Sequence, residues 1–215
     1  MVSIYLTAFA TNPFSILSFP PSIPDTEMTR WLTSRFSSMF AKREIKAFKM
    51  THVPTGQLAA FIRWTWPTIL TPAEKEDRKR EKAFRDAEKK EGRDPVWPVG
   101  ANLQLCDEKF GQLYAKREQF MGEEGKEEWY VAELLATSPE FQRRGLGSLL
   151  LSHGLELADR EGRRCYIEAT PAGWPVYLKL GFRDVGIVEV DLKRYGMDLV
   201  GNNRCMVREP VRKGE

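Results

Sequence analysis

The stretch Gln142-Arg143-Arg144-Gly145-Leu146-Gly147 constrains this chain most. It stands between an apolar strand-like run, Trp129 to Thr137, and a leucine-rich helical pattern carrying Leu146, Leu149, Leu150 and Leu157. A strand feeding a helix through a glycine loop brings backbone close to whatever lies beyond the strand. The helix start adds unpaired N–H groups and a positive dipole end. Together these make an anion cradle suited to a pyrophosphate, and the two arginines add charge-assisted donors. The loop lacks the Lys-Ser/Thr ending of a P-loop, and Leu150 stands where a dinucleotide fingerprint needs its third glycine. Alone, it also leaves open a loop that merely turns a strand into a helix.

The surrounding pattern extends this junction into a βαβ unit: strand 129–137, helix from about Leu146 to Arg160, and strand Cys165 to Ala169. Such a crossover joins parallel strands. A short helix then stops at Leu180-Gly181. Two strands follow, Val185 to Leu192 and Arg204 to Val207, separated by a loop around Gly196 and Gly201.

Ahead of the junction, residues 2–10 read as a short helix or strand, and Asn12-Pro13 and Pro20-Pro21 break the chain. Asp25-Thr26-Glu27 opens a helix with Trp31, Phe36 and Phe40 at helical spacing. Glu44 to Met50 and Gln57 to Trp66 read as strands joined around Pro54-Thr55-Gly56, with Leu58, Ala60, Ile62, Trp64 and Trp66 alternating with the other face. Thr71-Pro72-Ala73-Glu74 is a capping box with proline at the first helical position. The helix it starts, to about Gly92, is almost entirely charged, which predicts a solvated face with Glu74–Arg78 and Glu76–Arg80 pairs. A further helix runs from Leu103 to about Arg117, with Leu103, Cys106, Phe110 and Leu113 on one face, and a turn covers Gly122 to Lys126. Residues 71–121 hold few core-sized side chains and read as a charged helical insertion in a single domain over 1–215.

Length and charge narrow the function. A chain of 215 residues can bury one sizeable core. Its net charge of +3, with acids and bases interleaved, gives no argument for nucleic acid. Cys106, Cys165 and Cys205 lack metal-ligand spacing, and His52 and His153 are too few and too far apart for a zinc site, so no metal is expected. No run approaches the length of a membrane span. The Ala8-Phe9-Ala10 signal-peptidase look-alike has no basic region before it. These features predict a cytoplasmic or nuclear protein with free thiols.

The residues resemble the GNAT superfamily of N-acetyltransferases. Two blocks carry the likeness: Ser138-Pro139-Glu140-Phe141 followed by Gln142-x-x-Gly145-x-Gly147, and Tyr177-Leu178-Lys179-Leu180-Gly181-Phe182. Their order and spacing fit a helix, a strand and a short second helix, and the likeness covers residues 129–190. A looser likeness to fungal small-molecule acetyltransferase-like proteins covers most of the rest. The resemblance implies an α/β acyl-CoA N-acyltransferase fold: a mixed, mostly antiparallel central sheet with one splayed parallel pair and flanking helices. It also implies acetyl-CoA as cosubstrate and a primary amine, small or peptide-borne, as acceptor.

Carried onto this sequence, the resemblance makes Gln142, Arg143, Arg144, Gly145, Leu146, Gly147 and Ser148 the pyrophosphate cradle. It lays Leu135, Ala136 and Thr137 along the pantetheine arm, with one strand N–H polarising the thioester carbonyl. Tyr177 takes the position of the general acid that protonates the departing thiolate. An amine must lose a proton before it attacks, and Glu133 is the first candidate base, with Glu168 second. Cysteine is absent from these places, which argues for direct transfer in a ternary complex.

The chain also departs from the family pattern. Thr170, followed by Pro171, stands where many members carry a cofactor-binding Asn. The family's first strand has almost no room before the helix-like Tyr5 to Phe9, so either the sheet lacks that edge strand or the chain starts late. His153 is expected packed or half-buried and Cys165 in the core. Trp174 is expected either at the acceptor pocket or packed on the surface. A catalytically silent acyl-CoA-binding regulatory module and a ligand-free structural scaffold stay open beside the enzyme.

Overall fold

The computed structural model describes residues 1–122 and 125–211, so the turn expected over 122–126 falls in part outside the described residues. The chain opens with helices α1 (Val2–Ala8), α2 (Pro13–Ser18) and α3 (Asp25–Phe40), then the hairpin β1 (Ile45–His52) and β2 (Gln57–Thr65). Next come α4 (Pro72–Lys90), α5 (Leu103–Met121) and the single turn α6 (Gly125–Glu128). The second half runs β3 (Tyr130–Thr137), α7 (Leu146–Glu161), β4 (Cys165–Ala169), α8 (Trp174–Lys179), β5 (Arg183–Asp191) and β6 (Val200–Arg208).

The strands form a six-stranded mixed sheet ordered β1-β2-β3-β4-β6-β5, in which β3 and β4 are parallel and every other neighbouring pair is antiparallel. Among the described residues β1 is the edge, and a helix, not a strand, precedes it. This is the acyl-CoA N-acyltransferase architecture without its first edge strand.

Helices cover both faces. On one, α7 lays Leu150, Leu151, Leu155 and Ala158 against Ala60, Ile62, Trp64 and Tyr130. The helix can come this close because residue 154 is glycine: a Cβ there would lie 2.5 Å from the Trp64 indole. On the other face, α5 packs Leu113 and Met121 against Val131, Tyr166 and Val207. Beside it, α1 and α3 cover Phe61 and Ala136 with Ile4, Leu32 and Phe36. The core-sized residues of 71–121 are concentrated in α5; α4 buries none.

Several local expectations change. Asn12-Pro13 does not simply break the chain: the Asn12 side chain caps α2 by accepting the Ser15 N–H, with proline at the first helical position. Leu58 leaves the stripe of Ala60, Ile62 and Trp64, because the hairpin register skips Ala59 and turns Leu58 toward the α1–α3 cluster. Gly201 lies inside β6, not in the loop. The Thr71–Glu74 capping box forms as read. Arg78, however, reaches Glu44, Glu74 binds Arg43 and Arg80 pairs with Asp77, so the expected pairs within α4 give way largely to contacts with neighbouring elements.

Candidate active site

The parallel pair holds register over only three positions, Tyr130↔Cys165, Val131↔Tyr166 and Ala132↔Ile167. Beyond them β3 stays with β2 up to Thr137 while β4 stays with β6 up to Ala169, so the two strands part. A β-bulge sits at the parting point. The β2–β3 register passes from Trp64↔Ala132 to Arg63↔Leu134, leaving Glu133 as the extra residue. A bulge breaks alternation and re-aims side chains. Here Glu133 turns to α5 and the following Leu134 packs with the α1 cluster, both on the same face of the sheet. The edge of β3 facing the gap is left without a strand partner beyond Ala132.

At the far end of that edge is the loop. Arg143 (φ 63°) and Gly145 (φ 78°) are both in the left-handed region, and Gly145 is the N-cap of α7 without a side-chain cap. Alternation of this kind turns successive amides inward as an anion nest. The first turn of α7 leaves its own amides open as well: the Leu149 N–H is the first to reach back, to the Gly145 carbonyl. A groove of about 320 Å³ runs along Leu135, Thr137, Gln142, Gly145 and Gly147 to Tyr177. A Cβ on Gly147 would meet Leu135 at 3.4 Å and Thr137 Oγ1 at 4.0 Å, so side chains larger than a methyl reach into this space. Ala136 contributes backbone only, since its methyl is buried on the α1–α3 side. The Gln142 side chain donates back to the Thr137 carbonyl at 3.2 Å. The cradle and the edge of β3 therefore fit a pyrophosphate bearing an extended amide-containing arm.

A second cavity of about 170 Å³ fills the gap itself, walled by Glu133, Leu134, Glu168, Lys109, Asn203 and Tyr177. It shares Phe9, Leu135, Thr170 and Tyr177 with the groove, so the two spaces adjoin. Its charges are organised by Arg117 of α5. Arg117 Nη1 donates to Glu133 Oε1 at 2.9 Å and its Nε donates to Glu168 Oε1 at 3.0 Å. Thr65 Oγ1 donates to Glu133 at 3.0 Å, and Arg63 Nη2 lies 3.9 Å from its second oxygen.

The two carboxyls consequently differ. Burial pushes Glu133 up, but Arg117, Arg63 and the hydrogen bonds from Arg117 and Thr65 outweigh it, and its pKa is lowered. At Glu168 burial outweighs Arg117, the Glu133 charge adds to it, and the pKa is raised. A proton acceptor works best when its pKa approaches the working pH, which favours Glu168 over Glu133. Arg117, Lys109 and Asn203 carry no motif and were not singled out from the sequence. The nearest signal is that Arg117 falls near the C-terminal end of α5, whose apolar face is legible in the sequence. Asn203 Nδ2 donates to the Ala169 carbonyl at 3.2 Å, while its buried Oδ1 has no partner among the described residues.

Tyr177 is buried with its ring against the backbone of Gly173, where a Cβ would lie 2.9 Å from the ring. Burial pushes its phenol up to about 12, so it stays protonated. Thr170 Oγ1 accepts the Gly173 N–H at 3.3 Å, closing the turn before α8. Trp174 lines neither cavity: its indole donates to Asp184 at 3.0 Å and Arg204 covers its ring at 4.4 Å. His153 is exposed, edge-on to Phe48 at 4.6 Å, and not packed inside. All three cysteines are free and buried. Among the described residues no group of three His, Cys, Asp or Glu side chains converges as a metal site, and no helix is long and apolar enough to cross a membrane.

Residues 107–184 match the family model of the acetyltransferase (GNAT) domain, a stretch taking in most of α5, the βαβ unit and Tyr177. Among solved structures the chain is similar to arylalkylamine N-acetyltransferase 2 from Aedes aegypti, at 17% identity over 97% of this chain and 93% of that one, TM-score 0.62. It is also similar to the Drosophila melanogaster polyamine N-acetyltransferase that forms N-acetylagmatine, at 14% identity over 95% and 91%, TM-score 0.56. A third is the histone acetyltransferase HPA2 and related acetyltransferase from Corynebacterium glutamicum, at 17% identity over 100% and 91%, TM-score 0.52. At these identities the structural likeness is one of fold. The likeness to the GNAT domain thus lies over residues 107–184, and the chain as a whole has the acyl-CoA N-acyltransferase fold.

Proposed function

We propose that this chain is an acetyl-CoA-dependent N-acetyltransferase of the GNAT kind that acts on a primary amine by direct transfer. One observation carries the reading: the parallel strands part at Ala132 and Ile167 onto an open amide nest, with Tyr177 at the join of the two cavities. Acetyl-CoA, when bound, supplies the acetyl group and the thiolate that leaves. The amides of Arg143 to Ser148 hold its diphosphate, and the edge of β3 over Leu135, Ala136 and Thr137 takes its amide-bearing arm. One N–H of that strand edge polarises the thioester carbonyl; a donor of that type typically contributes a factor of roughly 10² to 10³ in rate.

Glu168 receives the proton of the incoming ammonium, because its carboxyl opens on the cavity and its pKa is raised. Glu133, held ionised between Arg117 and Arg63, acts as the anchor that fixes Arg117. Tyr177 keeps its proton until the thiolate forms. The free thiols support a reducing compartment, cytosol or nucleus.

The test combines calorimetry with CoA and release of free thiol from acetyl-CoA across an amine panel. Arylalkylamines and polyamines come first in that panel, being the amines in the names of the similar structures. Turnover with at least one amine supports the proposal. Tight CoA binding without turnover on any amine favours the silent acyl-CoA-binding module, and no binding removes both.

A further inference from the structure

Lys109 is the cation of the acceptor cavity that Arg117 does not organise. From α5 it lines the same cavity as Glu133, Leu134, Glu168 and Tyr177. Among the described residues its ammonium forms no hydrogen bond or ion pair; it lies over the Phe14 ring at 4.0 Å and the Phe110 ring at 4.9 Å. Aromatic faces hold an ammonium without hydrating it, so the charged form loses water and gains ring contacts in its place. Burial lowers its pKa to about 8, against the opposing pull of Cys106 and Glu168. A lysine of that pKa is neutral in about one molecule in ten at pH 7, whereas an ordinary lysine is neutral in about one in a few thousand. An amine that is readily neutral thus lines the cavity that adjoins the groove.

We infer that Lys109 is a self-acetylation site, taking the acetyl group of bound acetyl-CoA when no acceptor fills the cavity. The inference rests on the acetyltransferase reading above. The neutral Nζ attacks the thioester carbonyl carbon, the new C–N bond replaces the C–S bond, and the proton lost by nitrogen leaves with CoA as its thiol. The product is a neutral acetyl-lysine and free CoA. The amide no longer needs hydration and occupies the acceptor cavity, so modification closes the cavity to outside amines.

The experiment is to incubate the full chain with acetyl-CoA and no amine, then measure intact mass and map acetylated peptides over time. The same preparation is tested by calorimetry with CoA and by thiol release with the amine panel. The expected result is one acetyl group on Lys109, added at a rate independent of protein concentration, absent from Lys109→Arg and suppressed in Gly147→Glu, whose carboxylate enters the cradle. Acetyl groups spread over surface lysines, or a rate that rises with protein concentration, overturn the inference. An unmodified Lys109 in a preparation that binds CoA and acetylates an amine overturns it while leaving the acetyltransferase reading intact. No CoA binding at all removes both.

Discussion

Arg117 Nε lies 3.0 Å from Glu168 Oε1, so α5, which precedes the βαβ unit in sequence, fixes a carboxylate near the end of β4. Through its other nitrogens the same guanidinium holds Glu133 on β3. It therefore spans the two strands just where they part and keeps two carboxylates together that would otherwise repel. Arg117→Met leaves both carboxylates in the cavity without their main counter-charge. Breaking a buried pair in this way costs about 3–5 kcal/mol. The expected outcome is a marked fall in melting temperature and a pH–rate profile whose low-pH limb moves upward, because the group that lowers both carboxyl pKa values is gone. An unchanged limb in a folded variant would detach Arg117 from the proton-accepting group.

Glu168 and Glu133 are separable by the same profile. If Glu168 takes the proton, kcat/KM of the native chain falls as pH drops through its raised pKa. Glu168→Gln removes that limb and leaves a slower, flatter profile, down by roughly 10²-fold or more. Glu133→Gln keeps the limb and moves it to lower pH, since the Glu133 charge is one of the causes raising Glu168. The reverse pattern, limb lost with Glu133→Gln, would hand the role back to Glu133.

Tyr177→Phe removes the phenolic proton while leaving a ring against Gly173. Turnover is expected to fall by about 10²-fold or more, with CoA affinity nearly unchanged. Steady-state rates and calorimetry on the same preparation check both halves. Equal turnover would take Tyr177 out of the chemistry and leave it as packing beneath the groove.

Gly154→Ala tests the packing that holds the cradle in place. The added methyl would meet Trp64 at 2.5 Å, and Trp64 is fully buried, so α7 must shift or the indole must turn. Overpacking of this kind costs roughly 1–3 kcal/mol. Because α7 carries the cradle at its N-terminus, the expected outcome is a lower melting temperature with weaker CoA binding. A variant as stable as the native chain would mean that the helix stands off the sheet.

The βαβ unit was legible because independent local signals agree there. The apolar run, the glycine cap at Gly145 and the leucine period all place the same boundaries, and the observed β3, α7 and β4 fall within a residue or so of them. The first turn of the chain was harder, since Asn12-Pro13 punctuates a loop and caps a helix with the same two residues. The cradle glycines and Tyr177 could be named from their blocks. The charged side of the site could not. Arg117 meets its partners 16 and 51 residues away, and no periodicity says that α5 crosses the parting strands. The bulge at Glu133 is likewise silent in sequence, being a mismatch of register between two strands that each read as regular.

Asp94 offers a stability test away from the chemistry. It is buried between α4 and α5, where Arg85 Nη2 donates to Oδ2 at 2.8 Å, Lys89 Nζ lies 3.5 Å from it and the Val96 N–H reaches Oδ1 at 3.0 Å. Burial pushes the carboxyl up, but the Arg85 and Val96 hydrogen bonds and the charges of Arg85 and Lys89 bring its pKa below the ordinary 3.8. A folded value below the unfolded one contributes stability that is present above the unfolded pKa and is lost as pH falls through the folded value. Asp94→Asn should therefore cost about 1–3 kcal/mol at neutral pH, lowering the melting temperature by roughly 2–4 °C per kcal/mol for a chain of this size. The gap between native and variant should shrink as pH falls from the unfolded value through the lower folded one, below which the native carboxyl is as neutral as the amide. Melting curves of both proteins from neutral to acid pH measure it. A gap that stays constant through the acid range would show that the charge of Asp94 is not what holds the segment after α4 to Arg85.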